Sequence, residues 1–146
     1  MANQMKCHKY YIVFLALCFN ININATSYNS FGQTGLINTP SAEVHEEQSI
    51  FLVLNRNNYT KLGSITVTPF SWMEASYFYY RPDDLFWGST KGLYLDKGFN
   101  VKFSYKPSSK LLPTFALGLD DFAGTGQFTR EFVASTYNFN NIKFTS

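Results

Sequence analysis

The chain has 146 residues, a length that suits one domain, and 45% of them are hydrophobic while only 15% are charged. That balance excludes a disordered chain, because there is enough apolar surface for a core or for a lipid-facing side. The formal net charge of +2 falls to zero once Lys6 and Lys9 are left out, so no basic face indicates nucleic-acid binding. Aromatic residues make up 18% of the chain, and Tyr and Trp also collect at membrane interfaces.

Residues 1–25 have the pattern of a secretory signal peptide. Basic residues precede the apolar run YYIVFLALCF, residues 10–19, which is much shorter than the roughly 20 residues of a membrane-spanning helix. The sequence NINA ends on a small residue, so cleavage is predicted between Ala25 and Thr26. A buried N-terminal helix is the alternative interpretation of this segment.

Both cysteines of the chain lie in this predicted signal peptide, at Cys7 and Cys18. A lipoprotein signal has a small residue before its cysteine, and Leu17 is not small, so we do not expect lipid attachment at Cys18. The mature chain would then have no thiol for a disulfide, a metal site or a nucleophile.

Residues 26–48 are rich in turn-forming residues. Thr39 and Pro40 match the start of a helix, with Thr39 as the N-cap and Pro40 at the first helical position. The following SAEVHEE places acidic residues in the first turns. We therefore predict a capped turn or linker that leads into the first strand. His45 lacks the second histidine, four residues away, that a zinc helix needs, so a solvated charged turn is predicted there.

Three strand candidates follow. SIFLVLNRN, residues 49–57, is apolar on both faces in its middle, and its length and β-branched content favour a strand without excluding a short helix. LGSITVTPF, residues 62–70, sets Ile65 and Val67 against hydroxyl-bearing neighbours. WMEASYFYYR, residues 72–81, has aromatic residues on both faces, which suits either an ordinary aromatic core or an interfacial girdle.

Residues 83–96, DDLFWGSTKGLYLD, form the longest irregular connection. Aromatic residues on a surface loop are a common means of contacting sugars, and the alternative is a loop that folds onto its own apolar residues. The aromatic residues concerned are Phe86, Trp87 and Tyr94.

The clearest strand is KGFNVKFSYK, residues 97–106, in which apolar and polar residues alternate. Because successive side chains on a strand point to opposite sides of the sheet, this segment separates an oily environment from a wet one. In a membrane barrel one face would contact lipid and the other the lumen. The candidate lipid-facing residues are Phe99, Val101, Phe103 and Tyr105, and the candidate lumen-facing residues are Asn100, Lys102, Ser104 and Lys106.

Three further strands are predicted towards the C-terminus. LPTFALGL, residues 112–119, alternates large apolar residues with small ones that suit a packed interior. QFTREFVASTYNF, residues 127–139, runs into two asparagines that suit a hairpin turn, and IKFTS, residues 142–146, restarts the alternation. Counted from Ser49, the chain has six strands and the opening of a seventh.

No catalytic site is indicated. Asp120 and Asp121 are adjacent, and neighbours on a strand face opposite ways, so they cannot act as an acid and base pair without an irregular backbone. AGTGQF lacks the third glycine of a dinucleotide fingerprint, and GSTKG lacks the P-loop spacing. The sequence therefore predicts no enzymatic activity, no cofactor and no metal site.

Four stretches, FGQTGLINTPSAE, TVTPFSWMEASYFY, DKGFNVKFSY and LLPTFALGLDDFAGTGQFTREFVASTYNF, occur in an order that resembles the amino-terminal part of the YjbH family of exopolysaccharide-biosynthesis proteins. The most specific motifs are GLINTPSA and GLDDFAGTG. The resemblance implies an envelope protein, predicted to be an outer-membrane β-barrel, that is associated with secreting or assembling an extracellular polysaccharide, and it implies no catalytic residue. The motif residues, for which we expect a structural role, are Gly35, Asn38, Thr39, Pro40, Ser41, Asp120, Asp121, Gly124 and Gly126.

Together these observations predict an all-β fold, an antiparallel meander of about six to seven strands after the signal peptide. Residues 49–146 would form part of a transmembrane β-barrel that is truncated at its C-terminal end, since a closed single-chain barrel needs at least about eight strands. The expected location is the bacterial outer membrane. The expected partners are outer-membrane lipid, a polysaccharide of unknown identity and other exopolysaccharide-assembly proteins.

Two other functions are compatible with parts of the pattern. The first is a soluble, secreted or periplasmic β-sandwich that binds carbohydrate through exposed aromatic residues, because alternation is common to barrels and sandwiches. The second is a secreted enzyme, which would need Asp120, Asp121 or Glu131 to converge in a cleft.

Overall fold

The computed structural model describes residues 27–83, 86–87, 90–91, 94–140 and 142–146. None of these residues belongs to a helix, so no helix among them is long and apolar enough to cross a membrane. The strands are β1 (Gly35–Leu36), β2 (Thr39–Pro40), β3 (Ser49–Arg56), β4 (Thr60–Phe70), β5 (Met73–Pro82), β6 (Phe86–Trp87), β7 (Thr90–Lys91), β8 (Asp96–Tyr105), β9 (Thr114–Asp120), β10 (Arg130–Phe139) and β11 (Ile142–Thr145).

Seven of these strands form one antiparallel sheet in the order β11-β10-β9-β8-β5-β4-β3. The short β6–β7 hairpin is inserted between β5 and β8, and every other strand of the sheet pairs with its neighbour in the chain. The sheet curls into a half-barrel with a concave and a convex face. The predicted all-β antiparallel meander of six to seven strands is confirmed.

The connections between strands differ at the two ends of the sheet. At one end, which we call the short-turn end, β4 joins β5 through residues 71–72, β8 joins β9 through residues 106–113 and β10 joins β11 through residues 140–141. Asn140 has a φ of 52°, in agreement with the predicted turn. At the opposite, long-loop end, β3 joins β4 through residues 57–59, β5 joins β8 through residues 83–95 and β9 joins β10 through residues 121–129.

Residues 27–44, which we call the inner segment, lie on the concave face. The interpretation of Thr39 and Pro40 as the start of a helical turn is wrong, because both form strand β2 and pair with β1. Gly35 makes this hairpin feasible, since a Cβ on it would lie 2.3 Å from the carbonyl oxygen of Thr39. Proline fixes only φ, which suits a short strand as well as a first helical turn.

The interior between the inner segment and the sheet is mainly polar. Phe78 is the one large apolar side chain among the largest fully buried residues in the described part of the chain. The small apolar cluster contains Ala42, Ala116 and Ala134, with Phe132 packed against it. The other fully buried large side chains are Lys102, Gln33, Glu74, Asn29, Asn100, Thr66, Thr68, Thr136, Asp96 and Asp121.

Candidate functional site

The candidate site is the polar layer between the inner segment and the concave face. Each long strand contributes side chains at alternate positions, as the pleat requires. In β4, for example, the hydroxyl-bearing residues Ser64, Thr66 and Thr68 are buried, while Ile65, which lies between two of them, is exposed. The polar or charged inward side chains of the strands that are at most 3% exposed are Ser64, Thr66, Thr68, Glu74, Ser76, Asp96, Asn100, Lys102, Asp120 and Thr136.

Glu74 and Lys102 form a buried ion pair in this layer. Lys102 Nζ lies 3.2 Å from Glu74 Oε1, and the two side chains are 0% and 1% exposed. The backbone N–H of Thr34 donates to Glu74 Oε1 at 2.9 Å, and the Thr34 hydroxyl donates to the other carboxylate oxygen. Lys102 donates to the carbonyl oxygen of Thr34 at 3.0 Å. These contacts supply partners that both buried charges need.

Asp120 and Arg130 form a second pair. The Nε atom of Arg130 donates to Asp120 Oδ2 at 2.8 Å, and the Nη2 atom lies 2.6 Å from the same oxygen. The amide of Gln33 donates to Asp120 Oδ1 at 2.7 Å. The guanidinium carbon of Arg130 lies 5.2 Å from the centre of the Phe31 ring and 5.6 Å from that of Phe132. Arg130 therefore joins the inner segment to the sheet by charge and by cation–π contact.

Asn29 shapes the first part of the inner segment. Its side-chain oxygen accepts hydrogen bonds from the backbone N–H groups of Phe31 and Gln33, at 2.9 and 3.0 Å. Gly32 then has a φ of 80°, and a Cβ on it would lie 2.0 Å from the hydroxyl oxygen of Ser64. The glycine thus provides both a left-handed backbone and a close approach to β4.

The last part of the inner segment reaches the opposite edge of the sheet. The N–H of Ala42 donates to the hydroxyl of Thr136 at 2.9 Å. Glu43 accepts hydrogen bonds from Asn138 at 2.9 Å and from Lys143 at 2.7 Å. Partial burial raises the pKa of Glu43, but the contacts with Lys143 and Asn138 outweigh this effect and hold its pKa below the usual value.

The GLDDFAGTG motif is a folded loop at the long-loop end. Asp121 has a φ of 51°, and this irregular backbone buries its carboxylate although Asp120 already points inward. Asp121 Oδ2 accepts the N–H of Phe128 at 3.2 Å. Gly98 and Gly124 leave room for the carboxylate, since a Cβ on either would lie within 2.2 Å of Asp121 Oδ1. The two carboxylates therefore have separate partners.

The structure places the strand residues singled out from the sequence on the two faces of β8. Asn100 and Lys102 lie on the concave face and are 1% and 0% exposed. Phe99, Phe103 and Tyr105 lie on the convex face and are exposed by 44%, 44% and 69%. Val101, on the convex face, is buried, and Ser104, on the concave face, is half-buried, while Lys106, one residue past the end of β8, is exposed. Whether these faces meet lipid and a lumen stays a prediction.

Sequence reasoning missed the partners of Lys102. Glu74 is the one charged residue of the aromatic strand segment WMEASYFYY, and that isolation was an available signal for an inward, paired carboxylate. Gln33 and Thr34 carried no such signal, because their partners on the sheet lie far away in the sequence.

A cleft of about 740 Å³ opens at the short-turn end, next to the polar layer. His45 borders it and packs on Phe51 with 4.1 Å between ring centres, so it is half-buried and not part of a fully solvated turn. Within the described ranges, no group of three or more His, Cys, Asp and Glu residues could hold a metal ion. The other cleft residues that carry a charge are Glu43, Glu46, Lys106 and Lys143.

The long connection between β5 and β8 is described only in part. The backbones of Phe86 and Trp87 pair with β7, and their side chains lie outside the described structure. Tyr94 is buried, and its hydroxyl donates to Gln127 at 3.3 Å. Tyr94 therefore packs against the GLDDFAGTG loop and is not an exposed aromatic platform.

A curled antiparallel sheet with an apolar convex face, a polar concave face and a polar segment across that concave face defines a half-barrel class of β protein. The model of the YjbH family, described as "Exopolysaccharide biosynthesis protein YbjH", matches residues 27–146, and the chain belongs to this family. It is 30% identical over 126 residues to the "Uncharacterized lipoprotein YjbH" of Escherichia coli K12. That alignment covers 82% of this chain but only 18% of the relative. No solved structure matches the chain.

Proposed function

We propose that this chain is part of an outer-membrane β-barrel that takes part in the export or assembly of an exopolysaccharide. Its role would be passive, as a polar conduit or scaffold, and we assign it no catalytic step. The family relationship supplies the link to exopolysaccharide biosynthesis. The membrane-barrel part of the proposal depends on the convex face.

The observation that carries the proposal is an uncharged band on the convex face. Charged outward residues occur at the long-loop end of the strands, at Arg56, Lys61, Arg81, Lys97 and Glu131. Beyond them the outward positions described on all seven strands bear no charge. Exposed aliphatic and aromatic residues of the band include Ile50, Leu52, Leu54, Ile65, Tyr79, Phe99, Phe103, Phe115, Leu117, Val133, Phe139, Ile142 and Phe144.

The band covers most of the length of a strand. From Met73 to Tyr79 the strand β5 advances about 20 Å along its own axis, and the strands of outer-membrane barrels, tilted by about 35–45°, cross an apolar band about 25 Å tall. Aromatic residues gather near the short-turn end, where the rings of Phe70 and Trp72 stack with centres 5.2 Å apart. A second group near the long-loop end includes Tyr77 and Phe99, with ring centres 4.9 Å apart. Two such groups are typical of interfacial girdles.

The soluble sandwich receives less support from the same face. A sandwich needs a second sheet over the apolar face of the first. In the described part of the chain, the two additional sheets have only two short strands each. A membrane would cover the exposed side chains of the convex face directly.

The route to the envelope is a further part of this proposal. The name of the E. coli relative describes a lipoprotein, which favours lipid attachment at Cys18 over the cleavage predicted between Ala25 and Thr26. These residues lie outside the described structure. Mass spectrometry of the mature N-terminus separates the two routes, because a lipoprotein would begin at a diacylated Cys18.

Membrane fractionation tests the proposed location. The full chain, expressed with its own N-terminus, should sediment with outer membranes, resist extraction by concentrated urea and be released by detergent. Recovery in the soluble periplasm without detergent would exclude the barrel and favour the carbohydrate-binding sandwich.

A further inference from the structure

We propose that the inner segment, residues 27–44, is a displaceable plug that occupies the hydrogen-bonding groups of the concave face until a hydroxyl-rich polymer replaces it. This inference rests on the proposed function for the identity of the competitor. The displacement itself concerns only the contacts between the inner segment and the sheet.

The inner segment is held mainly by polar contacts, with a smaller apolar contribution. Ala42 packs with Ala116 and Ala134, and Pro40 is also buried. The rings of Tyr28 and Phe31 lie 5.5 and 6.1 Å from those of Phe51 and Tyr80, whereas Leu36 and Ile37 at the hairpin tip are 53% and 80% exposed. The segment is attached through Gln33, Thr34 and Glu43, whose partners are charged groups of the sheet. A polar interface can be exchanged for water or for a polar ligand at little net cost, whereas a packed apolar core cannot.

The sheet keeps its charges paired without the segment. Glu74 lies directly opposite Lys102 on neighbouring strands, and Asp120 lies directly opposite Arg130. Removal of the inner segment would expose these two cross-strand ion pairs, and all four of their side chains would keep a partner of opposite charge. The concave face is therefore a finished polar wall, which suits a water-filled lumen.

The hydrogen-bond donors and acceptors that the inner segment offers to the sheet are of the kinds that a sugar also offers. The hydroxyl of Thr34 donates to a Glu74 oxygen, and the carbonyl oxygen of Thr34 accepts from Lys102. A sugar hydroxyl can do both. On the same wall the buried hydroxyls of Ser64 and Thr68 have no hydrogen-bond partner within the described part of the chain. A neutral polysaccharide could form hydrogen bonds with the sheet groups that the segment now occupies and with these two hydroxyls as well.

The first experiment measures access to a thiol at a buried position of the segment itself. Ser41 is buried whereas Asn38, in the hairpin turn, is exposed, so S41C and N38C form a matched pair. Each full-chain variant in outer-membrane vesicles is treated with a membrane-impermeant maleimide, with and without dextran. The parent chain, whose cysteines precede residue 26, gives the background. We expect S41C to react at least tenfold more slowly than N38C without dextran, and severalfold faster once dextran is added.

The second experiment locks the segment. The backbone N–H of Ala42 donates to the Thr136 hydroxyl at 2.9 Å, which brings positions 42 and 136 together, so A42C and T136C are the pair to cross-link by oxidation. In the S41C background, once peptide mapping shows that the disulfide joins positions 42 and 136 and leaves the thiol at position 41 free, oxidation should abolish the effect of dextran, and reduction should restore it. If dextran leaves the rate for S41C unchanged in the reduced, membrane-inserted chain, the segment is a permanent core element and the plug is refuted.

The outcomes separate the two proposals. If the chain is not in the membrane, the proposed function fails irrespective of the labelling result. If it is in the membrane and only the dextran effect is missing, the plug alone is wrong. A Q33A/T34A variant provides a second measurement, because weakening the polar contacts should accelerate S41C labelling even without dextran. An unchanged rate in that variant would also contradict the plug.

Discussion

At the scale of single residues, a neighbour across the sheet requires glycine at position 118. Gly118 lies on β9 directly opposite Phe132 on β10, and the aromatic ring covers it. A Cβ at this position would lie 2.1 Å from Phe132 Cζ, closer than real contacts allow. Coverage of a strand glycine by a cross-strand ring is a device that also pins the register of a sheet.

We therefore predict that Gly118→Ala lowers the free energy of unfolding by about 1–3 kcal/mol, because the ring must leave its position. Gly63→Ala is the matched control, since its nearest contact would be Leu54 Cδ2 at an ordinary 3.6 Å. The control should change stability by less than about 0.5 kcal/mol. Urea unfolding curves measure both, and equal losses for the two variants would contradict the steric argument.

Glu43 should contribute to stability in a pH-dependent way. Its pKa in the folded chain is held below the unfolded value of about 4.3, because the contacts with Lys143 and Asn138 outweigh the effect of burial. A lowered pKa means that the contribution is present above the unfolded pKa and is lost as the pH falls through the folded pKa.

Glu43→Gln should therefore cost about 0.5 kcal/mol at pH 7, as expected for a partly exposed ion pair. The difference from the parent chain should shrink below about pH 4. Urea midpoints at pH 7, 5 and 3 measure it. Glu46→Gln, at an exposed neighbouring position, is the control and should track the parent chain at each pH. A loss for Glu43→Gln that does not change with pH would refute the electrostatic origin.

At the scale of strands, the ion pair between β5 and β8 is a coupled unit. Lys102→Met leaves the Glu74 carboxylate buried without its cation, and such a loss costs about 3–5 kcal/mol. Adding Glu74→Gln should recover a large part of that cost, because no buried charge then remains. A double-mutant cycle by urea unfolding gives the coupling energy. Additive losses would indicate that the two side chains act independently.

The alternation of polar and apolar residues predicted the strands correctly, but a local sequence signal gave the wrong structure where contacts with residues far away in the sequence determine it. The two faces of β8 follow from period-two patterning, and the strand near residues 97–106 is where it was predicted. The Thr39–Pro40 signal is shared by helix starts and short strands. The β1–β2 hairpin is favoured in part by the contacts of Thr34 with Glu74, which lies forty positions away. No local sequence pattern shows such contacts.

Only part of the candidate site could be predicted from the sequence. Alternation places Asn100 and Lys102 on one polar face, but it does not tell what covers that face. Asp121 shows the same limit. On a regular strand the carboxylates of Asp120 and Asp121 would point to opposite faces. Here both are buried, because Asp121 has a φ of 51°. Asn100 stabilises this backbone conformation, since its side-chain oxygen accepts the N–H of Asp121 at 3.0 Å.

At the scale of the whole molecule, the two ends of the sheet are unequal. At one end the connections are residues 71–72, 106–113 and 140–141, and at the opposite end they are residues 57–59, 83–95 and 121–129, so the two longest connections lie at the same end. Outer-membrane barrels have short periplasmic turns and longer extracellular loops. Within the proposed barrel, the long-loop end would then face outwards and the cleft near His45 would open to the periplasm.

The convex face provides the last prediction. Leu117 is 60% exposed and lies between Phe103 and Val133 in the middle of the uncharged band. If this face contacts lipid, Leu117→Arg should lower the stability of the membrane-inserted chain by about 2–4 kcal/mol, the cost of a cation near the midplane of a barrel. Ser108→Arg, in the exposed connection between β8 and β9, is the control and should change little. Urea unfolding from lipid vesicles measures both variants. If the face is instead in water, Leu117→Arg would be harmless and would improve solubility, because it replaces an exposed apolar side chain with a charged one.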